Sequence, residues 1–228
     1  MTTRPNIRSV SVRLSIALTA VVIAGCASEP SDITYRRRGD EAFSQGRFED
    51  ARVPYIKYNQ IRPGRAEIYY KLGLCDARTG RPAEAVQNLR IASDMEPENV
   101  QYVEAFAQAL FDVSEYEGLY ELLRWRTEQP GLSDDYIRLG RFAAMMGDAD
   151  EAELAFKTAA KIDQGLTVAP QLALADFYQS IGDAEQELLR LKMALFIDTN
   201  HEEVNGRIRA LGFIPGPTFH ITPAEYNR

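Results

Sequence analysis

The chain has 228 residues, with 26 basic and 33 acidic side chains, a net charge of −7 and 45% hydrophobic residues. That balance weighs against a nucleic-acid partner, which calls for a basic face. With two cysteines and two histidines, neither a disulfide framework nor a histidine/cysteine zinc cluster of the usual spacing is available.

The first 25 residues carry Arg4, Arg8 and Arg13 without an acidic residue, followed by an apolar run from Leu14 to Ile23. This is the layout of a secretory signal, and the run has about half of the roughly 20 residues that a membrane-spanning helix needs. Ile23, Ala24, Gly25 and Cys26 then resemble the bacterial lipobox. The resemblance implies cleavage after Gly25 and lipidation of the Cys26 thiol, with more than one acyl chain and hence stable membrane anchoring. Ala27 in place of Asp after the cysteine implies, by the enteric-type rule, the periplasmic face of the outer membrane. Cleavage leaves 26 − 3 = 23 basic residues against 33 acidic ones. Residues 26–32 are short, polar and proline-containing, as suits a tether between lipid and folded body.

Beyond the tether the sequence repeats. Gly39 and Gly73, Gly46 and Gly80, Ala51 and Ala85, and Pro63 and Pro97 are each 34 residues apart. This period and the residue classes at those places resemble the tetratricopeptide repeat, a unit of paired antiparallel helices with small residues where they cross. A first unit carries Tyr35, Gly39, Ala42, Ala51, Tyr55 and Pro63, and a second carries Tyr69, Leu72, Gly73, Ala85, Leu89, Ala92 and Pro97. The third, with Phe106, Ala107, Leu110 and Tyr116, is the most eroded. It is one residue short, and the deletion is expected within its second helix, between Leu119 and Pro130. The fourth unit follows through Tyr136, Leu139, Gly140, Ala143, Ala152, Phe156 and Ala159. The fifth follows through Leu174, Ala175, Tyr178, Gly182, Leu191 and Ala194, with Glu187 where a small residue belongs. Pro54 in the first unit removes a helical donor and favours a kink.

The expected fold is therefore all-α: a solenoid of about five units over 33–200, a capping helix over 201–211 and an extended, proline-containing tail over 212–228. Local signals agree. Gly46, Gly80, Gly147 and Gly182 stand where first helices should end. Asp148 with Glu151, Asp183 with Gln186 and Asn200 with Glu203 have capping-box spacing. In the tail, Phe213, Ile214 and Phe219 are expected to fold back on the last helices, with a placement in the groove of the chain's own array as a further expectation.

No phosphate loop, GxSxG elbow or HExxH is present, so no enzyme activity, cofactor or metal is expected. His201 reads as a first-turn residue of the capping helix and His220 as a polar tail residue. Cys75 reads as a small buried hydrophobe. Trp125 is expected in the core, with an interface anchor as the alternative. Arg36, Arg37 and Arg38 read as a solvated helix face, with contact to anionic headgroups as the alternative.

The tetratricopeptide resemblance implies a groove lined by the first helices. The positions that face it in that family fall here on Arg36, Asp40 and Phe43, then Glu67, Tyr70, Leu74 and Arg78, then Glu104, Gln108 and Phe111. The later units supply Ile137, Arg141 and Met145, followed by Leu172, Asp176 and Gln179. The Lys and Asn of carboxylate-clamp repeats are not at the matching places. The expected function is a lipid-anchored periplasmic scaffold or adaptor that holds a segment of an envelope protein, as in pilus or secretion assembly or the docking of cell-wall enzymes. The alternative is a permanent structural subunit of an outer-membrane assembly complex.

Overall fold

The structure, a computed structural model, describes residues 31–128 and 132–226. The expected signal, the lipobox with Cys26 and nearly all of the tether lie outside the described residues. Those residues form eleven α-helices and no strand. None of these helices is long and apolar enough to cross a membrane.

Five helix pairs follow one another: α1 (Asp32–Ser44) with α2 (Phe48–Ile61), α3 (Ala66–Arg78) with α4 (Pro82–Met95), and α5 (Val100–Asp112) with α6 (Tyr116–Glu128). Then come α7 (Ser133–Met145) with α8 (Ala149–Asp163), α9 (Ala169–Ser180) with α10 (Ala184–Ile197), and the single helix α11 (Glu202–Ala210). Asp32, assigned above to the tether, already belongs to α1. Pro54 does not interrupt α2. The starts of α5 and α6 lie 16 residues apart, as those of α3 and α4 do, so the residue missing from the third unit falls after the start of α6.

The pairs close because a residue without side-chain bulk faces a large one across each crossing. A Cβ on Gly73 would lie 2.5 Å from Leu89 Cγ, and one on Gly140 would lie 2.8 Å from the Phe156 ring. Ala107 opposite Leu123 and Ala175 opposite Leu191 do the same work in the third and fifth units, and all four are fully buried. Each first helix ends in a turn whose last residue donates its N–H to a carbonyl five residues back, as Arg81 does to Asp76 at 2.9 Å. Gly80 supplies the left-handed residue of that turn at φ 74°, and in the third unit Ser114 adopts it at φ 61°. Asp148 and Asp183 cap the helices that follow them, by accepting from the N–H of Glu151 and Gln186.

First helices pack closely as α3 with α5 and α7 with α9, while ion pairs join α1 to α3 and α5 to α7, and together they form an inner face; the second helices make the outer one. Buried charge ties the stack together. Asp76, wholly buried on α3, accepts from Arg52 of α2 at 2.5 Å and from Asn88 of α4 at 2.8 Å. Arg126 of α6 makes a two-pronged contact with Asp135 of α7, at 3.2 and 3.4 Å. Asp135 also accepts from Arg138 at 2.7 Å, and Arg138 reaches back to Glu104 of α5 at 2.9 Å. Glu187 is buried because it meets a cation from α11, Arg207, at 2.9 Å. That pairing explains a carboxylate where the other crossings carry a small or apolar residue.

Two expectations at the C-terminal end need correction. The last helix is capped by His201, whose Nδ1 accepts from Val204, because Asn200 is taken up in a turn closed by the Asp198 carboxylate. The tail does not enter the groove. It runs along α10, where the Ile221 N–H donates to the Lys192 carbonyl at 3.2 Å and Glu225 pairs with Arg190 at 3.2 Å. His220 and Tyr226 pack edge-on against Phe196. Phe219 packs against the last core cluster, while Ile214, expected to fold back, is 87% exposed.

Candidate functional site

The inner face divides into two halves of different character. In the upstream half the expected groove residues satisfy one another. Arg36 on α1 pairs with Glu67 on α3 at 2.8 Å, and Lys71, which the repeat pattern did not single out, bonds both Asp40 and Glu67 at 2.7 Å. The Tyr55 hydroxyl donates to Asp40 at 2.8 Å. Burial raises the Asp40 pKa, but the hydrogen bonds from Lys71 and Tyr55 and the charges of Lys71 and Arg36 outweigh it, leaving the carboxyl below its ordinary value. Burial likewise draws the Lys71 ammonium down, and its bonds to Asp40 and Glu67 outweigh that and hold it above its ordinary value.

The remaining upstream residues are spent on packing. Phe43 meets Phe48 edge-on at 5.5 Å, and the Arg78 guanidinium sits over the Phe48 ring. Tyr70 stacks on Tyr102 at 4.8 Å, and Leu74 packs against the core around Leu89. Phe111 lies between Tyr116 and Phe142 and is half-buried there. Tyr70 and Gln108 line a shallow hollow of about 500 Å³ with Glu104, and Gln108 donates to Asp112.

Downstream the inner face opens. A cavity of about 740 Å³ lies between α7 and α9, with Glu104 of α5 and Glu203 of α11 at its edges. Six of the expected residues, Glu104, Ile137, Arg141, Met145, Leu172 and Asp176, meet here. Gln179 does not line the cavity; Ser180, one residue on, does. The floor is apolar, formed by Ile137, Ala144, Leu172, Ala173 and Phe177, while Met145 is half exposed at its edge. At the rim Arg141 pairs with Glu104 and Arg207 pairs with Asp176. Asp134 makes no ion pair among the described residues.

Sequence reasoning missed Ala173 and Phe177. They follow Ala169 at four-residue spacing, so the helical period of α9 itself carries the signal that they share one face.

The other singled-out residues fall as follows. Cys75 is fully buried; burial, and then the neighbouring Asp76 carboxylate, push its thiol up to about 12. Among the described residues no group of three or more His, Cys, Asp or Glu side chains could hold a metal ion. Arg37 and Arg38 are exposed on α1. Trp125 is a correction: it is 45% exposed and lines an outer cleft, because α6 turns that face away from the core held by Leu119 and Leu123.

These paired helices, with glycine or alanine at their crossings, define a tetratricopeptide-repeat solenoid. Solved structures agree on that fold. The chain is similar to a thermophilic TPR protein of Thermus thermophilus, at 19% identity and a TM-score of 0.51, over 79% of this chain and 98% of that one. It is similar to MamA at 21% identity and a TM-score of 0.55, over 82% and 98% of the two chains. It is also similar to PilW, a widely conserved type IV pilus biogenesis factor, at 17% identity and a TM-score of 0.54, over 78% and 83%. No family model and no curated protein matches the chain.

Proposed function

We propose that this protein is a non-catalytic interaction scaffold, held at the cell envelope through lipidated Cys26, whose groove between α7 and α9 takes an apolar segment of a partner protein. The observation that carries the reading is the 740 Å³ cavity with an apolar floor and charged rim, on the face where first helices meet. A half-open pocket of this size fits side chains of a bound segment, and no catalytic constellation accompanies it. The likeness to PilW supports an envelope-assembly setting for the partner. The lipobox-like residues ending at Cys26 support the anchor, with the periplasmic face of the outer membrane as the site of action.

The test is capture of the tagged full-length chain from gently cross-linked cells, beside an Ile137→Asp, Leu172→Asp variant and a Cys26→Ser variant. Envelope proteins recovered with the parent and lost with the groove variant support the scaffold. Partners retained by that variant overturn the groove assignment. They would favour a permanent subunit that uses the outer face, where Val53 and Leu154 are exposed. Cys26→Ser should move the chain out of the membrane fraction; persistence there contradicts the lipid anchor.

A further inference from the structure

We infer that the outer cleft between α4 and α6 is a second docking site, for a protein segment that inserts an apolar side chain and presents Lys or Arg on either side of it. The cleft has a volume of about 540 Å³. Its floor and walls are Phe106, Leu110, Val86 and Leu122, and the exposed Trp125 ring flanks the opening.

The cleft is open because of Gly118. At the matching place the other second helices carry Asp50, Glu84, Glu151 and Gln186, and only α6 has glycine. A Cβ on Gly118 would lie 3.8 Å from Leu110, an ordinary contact, so packing of this chain does not call for glycine here. Glycine within a helix is unfavourable relative to alanine. What it does supply is space, since a longer side chain at 118 would stand in the mouth of the cleft.

Ser93 of α4 is 5% exposed and lines the cleft, so a bound segment meets a hydroxyl beside the apolar floor.

Charge decides the chemistry of the flanks. Asp94, Glu115 and Glu121 line the cleft against one cation, Arg90, and none of the four forms an ion pair among the described residues. An adjoining hollow shares Glu115, Gly118 and Glu121 and adds Glu117. At the inner groove, by contrast, Glu104 and Asp176 are already neutralised by arginines. The outer site therefore favours cationic flanks, and the face of Trp125 offers them a further contact.

Trp125 is the sole tryptophan of the chain, so its emission reports this cleft alone. The full-length chain is titrated with the end-capped peptide Lys-Arg-Leu-Phe-Lys-Arg and with its charge-inverted counterpart Glu-Asp-Leu-Phe-Glu-Asp. The expected result is a saturable change in emission with the basic peptide, weakened by salt, and none with the acidic one. Gly118→Gln, which fills the mouth without adding charge, and the pair Glu115→Lys, Glu121→Lys should each weaken binding about tenfold or more, a loss of about 1.4 kcal/mol. The Ile137→Asp, Leu172→Asp groove variant should bind as the parent does, which separates this site from the inner one. The inference is overturned by no saturable response to the basic peptide, by equal response to both peptides, or by undiminished binding in folded Gly118→Gln.

Discussion

At the scale of single residues, the crossings show where this fold has no slack. A methyl group on Gly73 would press on Leu89 from 2.5 Å, with the Leu89 backbone nitrogen at 3.2 Å behind it. Gly73→Ala is therefore expected to cost about 1–3 kcal/mol in urea unfolding, as overpacked cores do. Gly118→Ala, with ordinary space around it, should raise stability by about 0.5–1 kcal/mol or leave it unchanged. Asp40 gives a pH signature. Its carboxyl is held below its ordinary value in the folded chain, so its contribution is fully present above the unfolded pKa of about 3.9 and is lost as pH falls through the lower, folded one. Unfolding midpoints measured from neutral to acid pH should fall in the parent at the acid end, and Asp40→Asn should flatten that fall. These crossing residues were legible in the sequence, because glycine recurs at the repeat period with a large residue 16 positions on in the first, second and fourth units. The ionic web around Lys71 was not legible: it depends on which charged side chains of successive first helices end up side by side, and repeat patterning leaves that open.

Among the elements, the joint between the third and fourth units rests on buried charge. Glu104 of α5, Arg126 of α6 and Asp135 and Arg138 of α7 meet there. Asp135 is the common acceptor of two arginines, and the side chains of all three are more than nine-tenths buried. Asp135→Ala would take from buried Arg126 its close carboxylate and leave Arg138 with Glu104 alone, and a loss of about 3–5 kcal/mol is expected in urea unfolding. A loss below about 1 kcal/mol would show that the helices are held by apolar packing instead. That the third unit is one residue short was foreseeable from residue counting. The lengthened α8, which runs to Asp163 and ends through Gln164 at φ 54°, was not, because no glycine pair at the regular offset marks it. The tail was foreseen in part, since Phe219 folds back on the last helices as expected. Its prolines excluded a helix correctly, but its placement on α10 depends on Glu225 meeting buried Arg190, a contact 35 residues apart without a local signature.

For the whole molecule, the repeats determine a stack of helix pairs, and departures from the repeat determine what the stack can bind. Upstream, the inner face is closed by its own ion pairs and stacked rings. Downstream, it opens over an apolar floor between α7 and α9. Of the sixteen groove positions that the repeat resemblance supplied, six, namely Glu104, Ile137, Arg141, Met145, Leu172 and Asp176, line that cavity, since equivalent positions in earlier units are occupied by contacts between neighbours. The measurement that bears most directly on the scaffold account is site-specific photo-cross-linking in living cells. A benzophenone side chain is placed at Met145, half exposed in the groove, or at Leu154, 62% exposed on the outer helix α8. The account predicts a discrete partner adduct from Met145 that Leu172→Asp abolishes, and none from Leu154. Adducts from Leu154 alone, with Met145 silent, would contradict it.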